Sequence, residues 1–154
     1  MDYKVEVKRV EAQPTAVVRR RASQQELSQV VPHCCGLVWG VLRALQLRGA
    51  GRHLALYWDG EINLEVGVEL EPPFTGHGEV VASRTPAGTV ATVGHFGPYN
   101  RLGEAHSAIL KHCSEHGLTL AGPNWEVYGH WTDDPAQLRT DVFYLLHDRD
   151  APPA

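Results

Sequence analysis

The sequence has 154 residues and a formal net charge of −4, with 43% hydrophobic and 21% charged residues, which is ordinary for a globular protein with one core. The acidic balance argues against a nucleic-acid-binding surface, which usually requires a basic face. There is no membrane-length apolar stretch, no secretory signal pattern and an odd number of cysteines, so we expect a reduced, cytoplasmic protein.

The first half of the chain predicts two strands, a helix and two more strands. The strands YKVEVKRV and TAVVRRR come first, the former with alternating apolar residues; the basic run Arg19–Arg21 is interpreted as a solvated strand end. SQQE, from Ser23, matches a helix capping box, and Pro32 is expected in the first turn of the main helical segment, which Gly49 and Gly51 close. HLALYWD and INLEVGVEL then form a hairpin across a tight turn at Asp59–Gly60.

The second half repeats this order. EVVASR and GTVATVGHF are expected strands, and GPYNRLGEAHSAILKHCSEHG is a helix with Pro98 at its start and Gly117 at its end. NWEVYGHW and RTDVFYLLH are the closing strands. AGRHLALYWD, from Ala50, aligns with AGPNWEVYGH, from Ala121, so that the Ala-Gly pair and a tyrosine coincide.

The duplication predicts an α+β fold of two βαββ halves around a pseudo-twofold axis. Two main helices would cover an antiparallel sheet surface, with a central ligand pocket between the halves. We expect one domain over residues 1–147, with repeats at about 2–70 and 79–147, and a flexible tail at 148–154.

Glu126 is unusual because it lies among aromatic residues in the strand NWEVYGHW, where the aligned residue of the first half is Ala55. Strand alternation places Tyr128 and His130 on the same face, with Tyr57 and Asp59 facing them from the first half. Such a carboxylate can act as a general base or pair with a cationic ligand. The alternative is a glutamate on the wet side of an ordinary strand.

Other residues are weaker candidates. Asp141 and Phe143 lie on the strand beside Glu126, His95 or Tyr99 is expected to point into the cleft, and Trp39 is a core residue or a cleft residue. The remaining candidates are interpreted as structural: His112, Cys113 and His116 as an exposed helix face without a third metal ligand, and His33–Cys35 as a helix start. No metal site is predicted.

HFGPY, GLTLAGPNWEVY and DPAQLRTDVFYL, in this order and spacing, resemble the GyrI-like small-molecule-binding domain. This domain is the effector-binding module of AraC- and MerR-type regulators and belongs to a superfamily shared with SOUL haem-binding proteins. The resemblance covers essentially residues 2–147. It implies two βαββ halves and a pocket for amphipathic, often cationic, aromatic compounds, with Glu126 as the pocket carboxylate.

Two functions remain open on this resemblance. The first is a stand-alone module for multidrug or toxin binding, whose pocket residues would be Glu126, Tyr128, Tyr57, Trp39, Tyr99, Phe143 and His95. The second is a hydrolase of cyclopropane-bearing or other electrophilic natural products, with Glu126 as general base and Tyr99 as its partner. Regulator members carry a separate DNA-binding domain, for which this chain has no room, so no direct nucleic-acid binding and no membrane association are expected.

A protein partner or a homodimer is compatible with both functions. No cofactor is predicted, because haem binding would rest on His95 or His130 without any ligand geometry.

Overall fold

The computed structural model describes residues 3–58, 63–129 and 133–147, apart from the side chains of residues 24 and 28. Eight strands and two helices give an α+β fold: β1 (Glu6–Val10), β2 (Pro14–Arg21), α1 (Leu27–Ala44), β3 (Ala50–Tyr57), β4 (Asn63–Leu70), β5 (Val80–Arg84), β6 (Gly88–Phe96), α2 (Leu102–His116), β7 (Leu120–Tyr128) and β8 (Arg139–Leu146). Within the described ranges, neither helix is long and apolar enough to span a membrane.

The elements form two compact units. One unit is Ala12–Pro86, where α1 accompanies four antiparallel strands in the order β5-β2-β4-β3. The residues that alternation placed on one side of β4 are all buried: Leu64, Val66, Val68 and Leu70. A strand with that pattern has its apolar side chains on one face, as expected.

The other unit combines Met1–Glu11 with Ala87–Ala154, and α2 accompanies four antiparallel strands in the order β1-β6-β8-β7. Its core consists of Ala91, Val93, Leu102, Ala105, Ile109, Cys113, Val142 and Leu146. Tyr3, Val5 and Val7 pack against this core, which confirms the apolar face predicted for the first strand. That strand, β1, pairs with β6 of the second predicted repeat.

The duplication is visible in the connectivity and register of the two units. β2-α1-β3-β4 and β6-α2-β7-β8 follow each other in the same order. Ala55 of β3 pairs with Val66 of β4, and Glu126 of β7 pairs with Val142 of β8. In both units the partner is a valine, which is consistent with the alignment that set Glu126 against Ala55.

The start of α1 differs from the prediction. The helix begins at Leu27, so Pro32 lies inside it and not in its first turn. A 3-10 turn over residues 24–26 precedes the helix, and the Glu26 carboxylate accepts hydrogen bonds from both the N–H and the hydroxyl of Ser23. The capping box thus begins the helical segment before Pro32, whose missing N–H removes one hydrogen bond within the helix.

The helix ends also differ in detail. α1 ends at Ala44, before Gly49, because Gln46 adopts the left-handed conformation at φ 55° and the N–H of Leu47 bonds back to the carbonyl of Leu42. α2 ends as predicted, with Gly117 in the left-handed conformation at φ 66°. The tight turn predicted at Asp59–Gly60 lies outside the described residues.

Candidate functional site

Glu126 is buried, with only 8% of its surface exposed. Residues that face each other across antiparallel strands share a sheet face, and the partner of Glu126 is Val142, a core residue packed with α2. The interpretation of Glu126 as a solvent-facing residue is therefore wrong. A buried carboxylate is costly unless hydrogen bonds or charges compensate for the lost water.

Both oxygens of the Glu126 carboxylate have protein partners. The hydroxyl of Tyr128 donates to Oε1 at 2.7 Å, and Nε2 of His106, on α2, lies 2.6 Å from Oε2. Tyr128 follows Glu126 by two residues on β7, so strand alternation brings the phenol to the same face, as predicted. His106 comes from a different element and extends the site to the helix.

His106 is held at its other nitrogen by Tyr144 of β8, whose hydroxyl lies 2.7 Å from Nδ1. The two rings also meet edge to face, with centroids 5.6 Å apart. Burial first, and then the negative charge of Glu126, raise the pKa of Tyr144 to about 12, so its phenol stays protonated at neutral pH. We call these four residues (Glu126, His106, Tyr128 and Tyr144) the carboxylate cluster.

The carboxylate cluster accommodates two charge states with one geometry. Opposite an ionised Glu126, Nε2 of His106 must carry a proton, because a carboxylate only accepts hydrogen bonds. A neutral imidazole then accepts from the Tyr144 hydroxyl at Nδ1, whereas an imidazolium donates to it. The net charge of the cluster is −1 in the first state and zero in the second.

Tyr99 lies beside the carboxylate cluster but forms no hydrogen bond with its four members. It belongs to the 3-10 turn Tyr99–Arg101 before α2, and its ring meets that of Tyr128 edge-on at 5.7 Å between centroids. Desolvation raises the pKa of its phenol, although 42% of the residue is exposed. Tyr99 therefore offers an accessible aromatic surface next to the phenol that binds Glu126.

Phe143 is on the other face of the sheet from Glu126. It pairs with Trp125, and the two rings stack at 5.1 Å between centroids with an angle of 11°. Alternation separates Trp125 and Phe143 from the carboxylate cluster, because neighbouring residues of a strand point to opposite faces. The structure therefore does not bring Phe143 to Glu126.

His95 is fully buried, and both of its ring nitrogens have partners within its own unit. The Tyr3 hydroxyl lies 2.8 Å from Nδ1, and the carbonyl oxygen of Pro98 lies 3.2 Å from Nε2. Since a carbonyl only accepts, Nε2 carries the proton and Nδ1 accepts from Tyr3. His95 thus connects the N-terminal segment with the turn before α2, away from the hydrogen bonds of Glu126.

Trp39 and Tyr57 belong to the other unit. The indole N–H of Trp39 donates to Nε2 of His53 at 2.6 Å, and burial lowers the pKa of His53, which favours its neutral form. Tyr57, 9% exposed, occupies on β3 the position that Tyr128 has on β7. Contact of either residue with a ligand stays a prediction. Asp59, His130 and Trp131 lie outside the described residues.

Sequence reasoning missed His106 and Tyr144. The loops that follow the two helices show which residues of α1 and α2 correspond. The N–H of Leu47 bonds to the carbonyl of Leu42, and in the same way the N–H of Leu118 bonds to the carbonyl of Cys113. This correspondence sets His106 against Cys35 and, through the strand register, Tyr144 against Val68. Extending the repeat alignment into the helix and the last strand would have found both polar replacements.

The paired histidines of α2 do not form a ligand cluster in the structure. The rings of His112 and His116 stack at 4.0 Å, and Nδ1 of His116 bonds to the carbonyl of His112. In the part of the chain that the structure describes, no group of three or more histidine, cysteine, aspartate or glutamate residues could hold a metal ion.

Solved structures share this fold. The C-terminal domain of EcmrR matches with a TM-score of 0.78 at 20% identity, covering 96% of this chain and 99% of that chain. SAV2435 bound to tetraphenylphosphonium matches with a TM-score of 0.70 at 12% identity, covering 97% and 96%. A hydrolase from Listeria innocua matches with a TM-score of 0.60 at 11% identity, covering 94% and 92%.

No curated protein matches the sequence significantly. The sequence profile of the GyrI-like small molecule binding domain matches residues 3–146, nearly the whole chain. The chain belongs to the family of GyrI-like small molecule binding domains.

Proposed function

We propose that this protein captures cationic aromatic compounds and that Glu126 is the charge that holds them. The observation that carries the proposal is the buried carboxylate with tyrosine hydroxyl and ring partners on one sheet face. With a neutral His106, the carboxylate cluster has one negative charge that no described cationic side chain neutralises. A buried charge beside aromatic faces favours a flat or bulky cation over an anion.

The structural relatives support the choice of ligand. SAV2435, which shares the fold over nearly the full length of this chain, was solved with tetraphenylphosphonium. This ion is a cation surrounded by aromatic rings, so it combines the two properties that the site of Glu126 would select. Tyr128 contacts the carboxylate directly, and the half-exposed Tyr99 contacts the ring of Tyr128.

The proposal is tested by calorimetric titration with tetraphenylphosphonium. Glu126→Gln keeps the size and polarity of the side chain but removes its charge, so we expect binding to weaken about tenfold or more, which corresponds to about 1.4 kcal/mol, because the attraction between opposite charges is lost. Glu115→Gln, on the exposed surface of α2, makes the same change in net charge and should bind as the wild type does. Equal affinities of the two variants would refute a charge anchor at Glu126.

A second candidate function is hydrolysis, which one observation favours. The Nε2–H of His106 lies 2.6 Å from the Glu126 carboxylate and would hold it in position as the general base that takes a proton from water. The water oxygen would bond to an electrophilic cyclopropane carbon, the ring C–C bond would break, and its electron pair would pass to a conjugated carbonyl. Tyr99 or Tyr128 would protonate that oxygen.

Turnover separates this candidate from simple capture. A cyclopropane-bearing electrophile should give more than one equivalent of ring-opened product per protein, and Glu126→Gln should bind the compound but lose the rate. Stoichiometric binding without product would leave capture as the function.

A further inference from the structure

The unit Ala12–Pro86 has a cleft on the sheet face away from α1. His53, which bonds to Trp39 of α1, shares its face with Val68, so the alternate residues Arg19 and Glu65 belong to the opposite face. A cleft of about 440 Å³ there is lined by Arg19, Arg20, Arg21, Trp58, Asn63, Leu64 and Glu65. A second cleft, of about 920 Å³, shares Arg19, Trp58 and Glu65 with it.

The buried Glu65 side chain orients Arg19. The Glu65 side chain is only 4% exposed, and the Ser83 hydroxyl donates to its Oε1 at 2.6 Å. Arg19 donates from Nε to Oε2 at 3.0 Å, yet its side chain is 63% exposed. The guanidinium is thus anchored on one side, while its terminal nitrogens have no hydrogen-bond partner among the described residues.

Further positive charge lies beside Arg19. Arg20 bonds to Glu79 at 3.1 Å and to the carbonyl of Arg19, whereas Arg21 is exposed and has no ion-pair partner in the described ranges. Strand alternation puts Arg21 on the face of Arg19 and Arg20 on the other face, so among the described residues the smaller cleft has the guanidinium groups of Arg19 and Arg21 against one carboxylate, Glu65. The positive charge of this cleft is opposite in sign to the net charge of −4 of the whole chain, and it favours the binding of anions.

Trp58 supplies the aromatic wall. It is 39% exposed, and the hydrogen bond from its backbone N–H to the carbonyl of Asn63 fixes the end of the strand that precedes it. The larger cleft continues past Trp58 to Phe74 and Pro72, which extend its apolar surface. An exposed indole beside oriented guanidinium groups can stack on a flat ring while the guanidinium groups bind its charged substituent.

We propose that this cleft is a second binding site, specific for aromatic anions: planar rings carrying a sulfonate, carboxylate or phosphate. Arg19, held in place by Glu65 and Ser83, binds the anionic group together with Arg21, and Trp58 contacts the ring. The site lies in the other unit from Glu126 and selects the opposite charge, so it does not depend on the function proposed for the carboxylate cluster.

A purely structural role is the alternative explanation for the contacts among Ser83, Glu65 and Arg19. Ser83, Glu65 and Arg19 come from β5, β4 and β2, and their hydrogen bonds also hold these strands in register. That role predicts a loss of stability when a contact is removed but no binding of an anion. Only binding measurements on folded variants distinguish the two.

The test is calorimetric titration with naphthalene-1-sulfonate, with naphthalene-1-methanol as the neutral counterpart. We expect the anion to bind and the alcohol to bind much more weakly. Arg19→Gln should weaken anion binding about tenfold or more, because charge-assisted hydrogen bonds to the sulfonate are lost. Arg43→Gln, on α1, makes the same change in net charge and should leave binding unchanged.

Arg21→Gln keeps the proposal testable if Arg19→Gln folds poorly, because Arg21 is exposed and makes no described ion pair. It should also weaken binding, by about threefold to tenfold. Glu126→Gln should bind the anion as the wild type does. The proposal is overturned if the wild type does not bind the sulfonate, if the folded Arg19 and Arg21 variants bind like Arg43→Gln, or if Glu126→Gln loses the binding.

Discussion

At the scale of single residues, three polar side chains distinguish one repeat from the other. Glu126, His106 and Tyr144 stand where the first repeat has Ala55, Cys35 and Val68, whereas both repeats keep a tyrosine at the position of Tyr128. The exchanged residues of the first repeat are small or apolar and need no hydrogen-bond partner. In the second repeat the carboxylate, the imidazole and the phenols satisfy each other, which makes a buried charge tolerable.

At the scale of elements, the pairing of β2 with β4 depends on a glycine. A Cβ added at Gly67 would lie 1.9 Å from the carbonyl oxygen of Ala16 and 2.8 Å from Cα of Val17. Both neighbours are backbone atoms of β2 and cannot rotate away. The two strands therefore approach each other so closely that only a residue without a side chain fits.

Gly67→Ala is expected to lower the free energy of unfolding by about 2 kcal/mol or more, because the strands must move apart. Gly36→Ala is the matched substitution: it lies in α1, no atom is found within 4 Å of the added Cβ, and better helix propensity should raise the stability by about 0.5–1 kcal/mol. Denaturant unfolding measures both. Equal stability of Gly67→Ala and the wild type would contradict the close approach.

At the scale of the whole molecule, the chain does not build its two units one after the other. The N-terminal strand β1 joins β6 in the unit that also contains the carboxylate cluster, and Tyr3 just before it bonds to the buried His95. His95 in turn contacts the carbonyl of Pro98, next to Tyr99. Tyr3 thus supports, through His95, the turn that precedes α2.

Tyr3→Phe should lower the free energy of unfolding by about 1–2 kcal/mol, because it leaves Nδ1 of a fully buried His95 without its donor. Tyr99→Phe removes a hydroxyl that has no hydrogen bond to the described residues, so its stability should stay close to that of the wild type. Chemical denaturation followed by circular dichroism compares them. If Tyr3→Phe is as stable as Tyr99→Phe, the contact of Tyr3 with His95 does not stabilise the unit.

The sequence by itself determined the strands, the helices, the duplication and the exceptional position of Glu126. Alternation and helical spacing are properties of the local backbone, so Tyr128 could be placed beside Glu126 from sequence alone. The family resemblance then indicated a small-molecule-binding domain, which the family profile confirms. Local patterns misplaced the start of α1, because the helical segment begins before Pro32.

Only the tertiary structure decided which distant residues meet. His106 reaches Glu126 from a helix, and Tyr144 reaches His106 from another strand, so their contacts depend on the packing of α2 and on strand register. The same register turns Phe143 away from Glu126 and toward Trp125. A one-residue difference in register would exchange these faces, and for this reason the partners of the carboxylate could not be read from the order of residues.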